Sequence, residues 1–159
     1  MVFSELISAL GGKLGIELDS GKGTCTLAID DMEVVLADDP ETERVLVTGF
    51  IGQTPPDGVE ELMSGMLAAN HLFSGTGGAA ISRDPRSGNF YLCRSEPSAM
   101  LDGDSLVRLI ESFVNTLENW RRLIADYRPA GQVPRRSGKR ADPAEESPGD
   151  GIESNFMRV

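Results

Sequence analysis

The chain has 159 residues, 40% of them hydrophobic and 25% charged, enough for one globular domain with a real core. Its net charge is −10, from 25 acidic against 15 basic side chains, which disfavours a nucleic-acid partner because an acidic surface repels phosphate. No window reaches 18 consecutive apolar residues, so no transmembrane helix and no membrane insertion are expected.

The first predicted element is an amphipathic helix over residues 2–14. Phe3, Leu6, Ile7, Leu10 and Leu14 follow the spacing i, i+3, i+4, i+7, i+11, one face of a 3.6-residue helix. Gly15 is placed to cap its C-terminus. Ser4 and Glu5 interrupt the opening apolar run and no basic segment precedes it, so no signal peptide is expected and the protein is read as cytoplasmic.

Three short strands follow. Residues 24–29 put Cys25, Leu27 and Ile29 on one side, and 32–37 put Met32, Val34 and Leu36 on one side and Val35 on the other. The run 44–51 is apolar on both sides, with Val45, Val47 and Ile51 opposed to Leu46 and Phe50. A strand with two apolar faces is central, or meets a second body on its outer side. Asp30-Asp31 and the acidic segment 38–43 are tight connections, so the three strands should form an antiparallel meander.

After Pro55-Pro56, Asp57 followed three residues later by Glu60 resembles a capping box for a second helix over 58–73, with Leu62, Met63, Met66, Leu67 and Phe73 as its apolar side. Strands at 79–83 and 89–94 flank a five-residue hairpin loop, with Phe90 and Leu92 facing opposite to Tyr91 and Cys93. A third helix, from about 102–105 to 127, keeps helical spacing through Leu106, Leu109, Ile110, Phe113, Leu117, Trp120, Leu123, Ile124 and Tyr127, and should lie across the sheet. The fold class is therefore α+β: helix, three-strand antiparallel meander, helix, two-strand hairpin, long C-terminal helix.

Residues 1–127 are read as the single domain and 128–159 as a disordered tail, rich in Pro, Gly, Arg and Glu until Ile152, Phe156, Met157 and Val159. The charge is uneven. Residues 1–127 hold 9 basic and 20 acidic side chains, net −11, and 128–159 hold 6 and 5, net +1. Such a body suits a neutral or basic polypeptide partner, or simply solubility.

Reaction chemistry is hard to build from these residues. His71 is the single histidine, and no cysteine pair stands at ligand spacing, so no metal is expected. The Asp30-Asp31 and Asp38-Asp39 pairs lack the spacing of a calcium loop. Gly21-Lys22-Gly23-Thr24 opens a strand rather than a helix, and Gly75-Thr76-Gly77-Gly78 follows a helix, so neither is a phosphate-binding loop. Cys25 and Cys93 read as two thiols rather than a disulfide. No enzyme and no cofactor are expected.

The runs Leu14-Gly15-Ile16, Thr24-Cys25-Thr26-Leu27-Ala28-Ile29-Asp30 and Met32-Glu33-Val34-Val35-Leu36 resemble the class I chaperones of bacterial type III secretion, the Tir-chaperone family. Leu62-Met63-Ser64-Gly65-Met66-Leu67-Ala68-Ala69-Asn70 is similar to that family's "LL.ANL" region, and the resemblance spans roughly residues 1–127. It implies a homodimer around which an unfolded N-terminal segment of a secreted effector protein wraps, held by apolar grooves and by strand addition to a sheet edge. On this reading Phe3, Leu6, Leu10, Val35, Leu46 and Phe50 bind the effector, with core packing the competing reading for Leu6 and Leu10. Surplus apolar residues Met63, Met66, Leu67 and Phe73 would form the dimer interface. The alternatives are a YbjN-like interaction or regulatory module not tied to secretion, and a small hydrolase with an unrecognised site.

Overall fold

The computed structural model of the chain describes residues 2–130. The elements run α1 (Phe3–Leu14), β1 (Thr24–Ile29), β2 (Met32–Asp39), β3 (Arg44–Gly52), α2 (Val59–Asn70), β4 (Ala80–Arg83), β5 (Phe90–Pro97) and α3 (Gly103–Asp126). The expected order is the observed one. Of the tail expected from residue 128 onward, residues 131–159 lie outside the described residues.

The five strands form one antiparallel sheet in the order β1-β2-β3-β5-β4, so the doubly apolar β3 is its central strand. The β1–β2 ladder pairs Cys25 with Leu36 and Leu27 with Val34, and the β3–β5 ladder pairs Thr48 with Cys93 and Phe50 with Tyr91. These registers put Cys25, Leu27, Val34, Leu36, Val45, Val47, Phe90 and Leu92 on one face, and all are buried there. The period of two makes this a single decision: fixing one residue's face fixes the whole strand's.

Helices α1 and α3 cover that face. Leu106, Ile110, Phe113, Leu117 and Trp120 of α3 join Phe3, Leu6, Ile7 and Leu10 of α1 in the core. The helix passes so close to the sheet that a Cβ built on Gly49 would lie 2.4 Å from Leu117 Cδ2. Only a residue without a side chain fits there. Polar ties fix the rest of the helix: Trp120 Nε1 donates to the Gly75 carbonyl at 2.9 Å, and the Tyr127 hydroxyl donates to the Gly58 carbonyl at 2.7 Å.

Local signals set the helix ends. Gly15 adopts the left-handed conformation (φ 71°) and donates to the Gly11 carbonyl, ending α1 as expected. Asp102 caps α3, accepting from Ser105 N at 2.8 Å while its own N–H donates to Ser105 Oγ at 2.7 Å. The start of α2 differs from expectation. Gly58, left-handed at φ 70°, takes the N-cap position without a side-chain cap hydrogen bond, where Asp57 with Glu60 was expected. The helix also stops at Asn70, three residues early, and continues as a 3₁₀ turn over His71–Phe73.

Candidate docking surfaces

Among the described residues, helices cover only one face of the sheet. The outer face is set by the same registers. Thr26, Val35, Thr48, Cys93 and Ala80 form one row across all five strands; Ala37, Leu46 and Ser95 lie to one side of it, and Phe50, Tyr91 and Ser82 to the other. Val35, Leu46 and Phe50 are 36%, 37% and 41% exposed. Phe50 and Tyr91 meet edge to face with ring centroids 5.6 Å apart, a favourable aromatic geometry. Charged side chains stand at both ends of these rows: Glu33 next to Val35 along β2, and Asp39 and Arg44 beyond Ala37 and Leu46, with Arg44 donating to Ser95. A contiguous apolar and hydroxyl-bearing surface of this kind marks an interaction site.

The two edges of the sheet are unequal. At β4, the side chain of Asn70 accepts from Ile81 N at 2.8 Å and donates to Ile81 O at 3.1 Å, standing in for a neighbouring strand. Among the described residues the opposite edge strand, β1, pairs with β2 alone. An unblocked edge is a template for an added strand.

A second exposed patch sits at the end of α2. Leu67, Leu72 and Phe73 are 69%, 83% and 55% exposed. Leu72 and Phe73 hold φ values of 52° and 57°, a left-handed conformation that costs bulky residues of order 1–2 kcal/mol each. Strain kept while presenting two large apolar side chains to solvent points to use of that surface.

The sequence-derived site residues divide cleanly. Val35, Leu46 and Phe50 come together on the outer face. Phe3, Leu6 and Leu10 do not join them: all three are buried in the core, because the apolar stripe of α1 is used up in packing on α3 and the sheet. Of the residues assigned to a dimer interface, Leu67 and Phe73 are exposed, Met63 is partly buried against the core, and Met66 is buried within it. Met66 therefore leaves that list. Leu72, Tyr91 and Cys93 were missed. Period-two alternation separates Tyr91 and Cys93 from Phe90 and Leu92, but only the pairing of β5 with β3 sets them beside Phe50 and Thr48.

The surface offers little for catalysis. Among the described residues, no group of three or more His, Cys, Asp or Glu is placed to hold a metal ion, and no helix is long and apolar enough to cross a membrane. His71 is exposed. Burial pushes the Cys25 thiol above its ordinary pKa, with Asp19 adding to the effect, which disfavours the reactive thiolate. Gly75-Thr76-Gly77-Gly78 is a turn between α2 and β4 whose first carbonyl takes the Trp120 hydrogen bond.

Residues 5–121 match the family described as Tir chaperone protein (CesT). No curated protein matches the chain in sequence. Solved structures share its fold. A chain of the HopA1–SchA chaperone–effector complex superposes with a TM-score of 0.64 at 24% identity, covering 76% of this chain and 93% of that one. A chain of the ExsC–ExsE complex gives 0.62 at 20% identity, covering 82% and 98%. A chain of the ExoU–SpcU complex from the type III secretion system of Pseudomonas aeruginosa gives 0.61 at 20% identity, covering 74% and 96%.

Proposed function

The chain belongs to the Tir chaperone protein (CesT) family, and from that premise we propose that it is a type III secretion chaperone of the bacterial cytoplasm, binding an unfolded N-terminal segment of a secreted effector and keeping it secretion-competent. The observation that carries this reading is the uncovered outer face of the sheet, where Val35, Leu46 and Phe50 stay exposed on strands whose other face is fully packed. An extended client segment lays apolar side chains on this face and adds its backbone to the free edge of β1. Holding a segment unfolded is a binding equilibrium, so the proposal assigns no catalysis and no cofactor.

The acidic body, with 20 acidic against 9 basic side chains in residues 1–127, speeds the encounter with a basic segment. Affinity itself rests on apolar pockets and backbone pairing and weakens only modestly with salt. We also assign Leu67, Leu72 and Phe73 to a homodimer interface, since pairing with a second copy would take these exposed apolar side chains out of water. Light scattering at micromolar concentration should give twice the chain mass, and the double substitution Leu72→Asp with Phe73→Asp should return the monomer. A monomer mass for the unsubstituted protein removes the dimer.

The test of the client site is titration calorimetry with N-terminal segments of proteins secreted by the same host. One of them should bind, and the Leu46→Asp, Phe50→Asp variant should lose that binding while its circular dichroism stays that of the parent. If no segment binds, or if the folded variant binds as tightly as the parent, the reading fails.

A further inference from the structure

The chain carries no Asp, Glu, Lys or Arg between Glu61 and Arg83, its longest stretch without one, although its net charge is −10. Leu67, Leu72 and Phe73, the exposed apolar residues assigned above to a homodimer interface, lie inside that stretch. A two-fold interface sets the same patch against itself, so a carboxylate near the axis would face its own copy. Two copies of an acidic body therefore meet with least repulsion where the chain is uncharged.

The connection from His71 to Gly78 presents its two large side chains on an unfavourable backbone. Leu72 and Phe73 are left-handed in succession, at φ 52° and 57°, and Gly77 and Gly78 are left-handed too, at 58° and 89°. Glycine adopts this conformation freely; leucine and phenylalanine do not. Such strain persists only where the surroundings over-determine it. Within the connection, the Phe73 carbonyl accepts from Thr76 N and Gly77 N, and the His71 carbonyl accepts from Ser74 N and Oγ. Two side chains hold it from outside. Trp120 Nε1 of α3 donates to the Gly75 carbonyl at 2.9 Å, and Arg94 Nη1 of β5 donates to the Gly77 carbonyl at 3.1 Å. The guanidinium is itself fixed by Glu96, which accepts from Arg94 Nε at 2.7 Å. Gly78 lies against it, and a Cβ there would stand 3.4 Å from Nη1.

The geometry points to a preformed anchor: Arg94 and Trp120 are positioning residues that hold Leu72 and Phe73 outward in a strained turn, set to pack against a second copy of this chain. The positioning role rests on the homodimer assignment above and adds the groups that shape its interface. Both side chains are largely buried, so neither has to touch the second copy. An anchor already rigid in its bound shape loses less freedom on association than a mobile one, so affinity rises without a new contact. The strain supports the same occupant. Leu72 is 83% exposed, so glycine at this position would relieve the backbone with little loss of packing inside one copy. Leucine there gains its packing from outside the copy.

The dimer dissociation constant, measured by sedimentation velocity across a dilution series, tests this. Arg94→Gln should raise it about tenfold, whereas Glu96→Gln, which leaves the Arg94 bond to the Gly77 carbonyl in place, should change it less than about twofold. Trp120→Phe, which lacks the Nε1 donor, should act in the same direction as Arg94→Gln under conditions where circular dichroism shows it folded. Phe73→Asp should be monomeric. In that background, adding Leu72→Gly should raise the melting temperature by about 3 °C, because left-handed strain is removed. A dimeric parent whose affinity Arg94→Gln weakens no more than Glu96→Gln does overturns the positioning role, as does a lower melting temperature on adding Leu72→Gly. A Phe73→Asp protein that still dimerises gives the interface to another surface and overturns it too. A monomeric parent overturns the homodimer assignment itself, and the positioning role with it.

Discussion

The inner and outer faces of the sheet are built from the same kinds of residue and have opposite fates. Leu36 and Val47 on the inner face are buried, while Val35 and Leu46, their immediate neighbours along β2 and β3, are more than a third exposed. The difference lies in what crosses each face. Helix α3 lies against β3 at Gly49 and Gly52, while Phe50 on the other face meets Tyr91 of the neighbouring strand and stays 41% exposed. Apolar character alone does not make a core; a core needs a second layer. An apolar face without one stays exposed.

Substitutions can break this comparison, and the largest effect belongs to the inner face. Val47→Asp or Leu6→Asp buries a carboxylate with no partner, a cost of several kcal/mol against a total stability of roughly 5–15 kcal/mol. Neither variant should give a cooperative melt by circular dichroism. Leu46→Asp, one residue away from Val47, should melt within a few degrees of the parent. An unfolded Leu46→Asp protein would show that the outer face is packed in the free protein.

Next in size is the effect on client binding. Two outer-face charges, Leu46→Asp with Phe50→Asp, should weaken affinity for an effector segment by about 30-fold, close to 2 kcal/mol, by calorimetry. The packing of α3 should give a change of similar scale in stability. Gly49→Ala places a methyl group against Leu117 and should cost about 1–3 kcal/mol in denaturant unfolding. A neutral Gly49→Ala would mean that α3 sits farther from the sheet than the structure places it.

Smaller effects sharpen the picture at the ends of α3. Tyr127→Phe removes one of the two donors to the Gly58 carbonyl, which keeps the Leu62 N–H, and should cost about 1 kcal/mol. Removing residues 131–159 should shift the melting temperature by no more than a few degrees, since their composition offers few apolar groups. Acid should reveal two carboxylates. Arg121, by hydrogen bond and charge, holds Asp31 below its ordinary pKa of 3.8, and the Ser105 hydroxyl and backbone do the same for Asp102. The unfolded chain therefore binds these protons first as pH falls. The stability they contribute is fully present above the ordinary carboxylate range and is lost as pH drops through and below it. Asp31→Asn should flatten part of that loss. A melting temperature that falls equally in the variant and the parent between pH 5 and 2 would show that the Arg121 pair contributes nothing.

Much of this fold was legible in the sequence. The strand starting at Thr24 and ending at Ile29, the tight Asp30-Asp31 connection, the left-handed cap at Gly15 and the long stripe from Leu106 to Tyr127 all rest on signals a few residues apart. Local signals failed where tertiary contacts outbid them. The chain turns left-handed at Gly58, beside Tyr127 and Pro129, so α2 starts without the Asp57 and Glu60 box. It leaves the α-helix at His71, just after Asn70 bonds to the edge of β4.

The candidate site was half legible for the same reason. Alternation placed Val35, Leu46 and Phe50 opposite the core residues of their own strands, because side chains in a strand point to alternate faces. The sequence by itself determined which residues share a face. It could not determine which face would be covered, nor that α1 would spend Phe3, Leu6 and Leu10 on the core, nor that Tyr91 and Cys93 would stand beside Phe50 and Thr48. Those outcomes depend on contacts between residues more than forty positions apart, such as Gly49 with Leu117 and Phe50 with Tyr91. They were decided by the packing of α3 on one side of the sheet, the other side being left uncovered by the rest of residues 2–130.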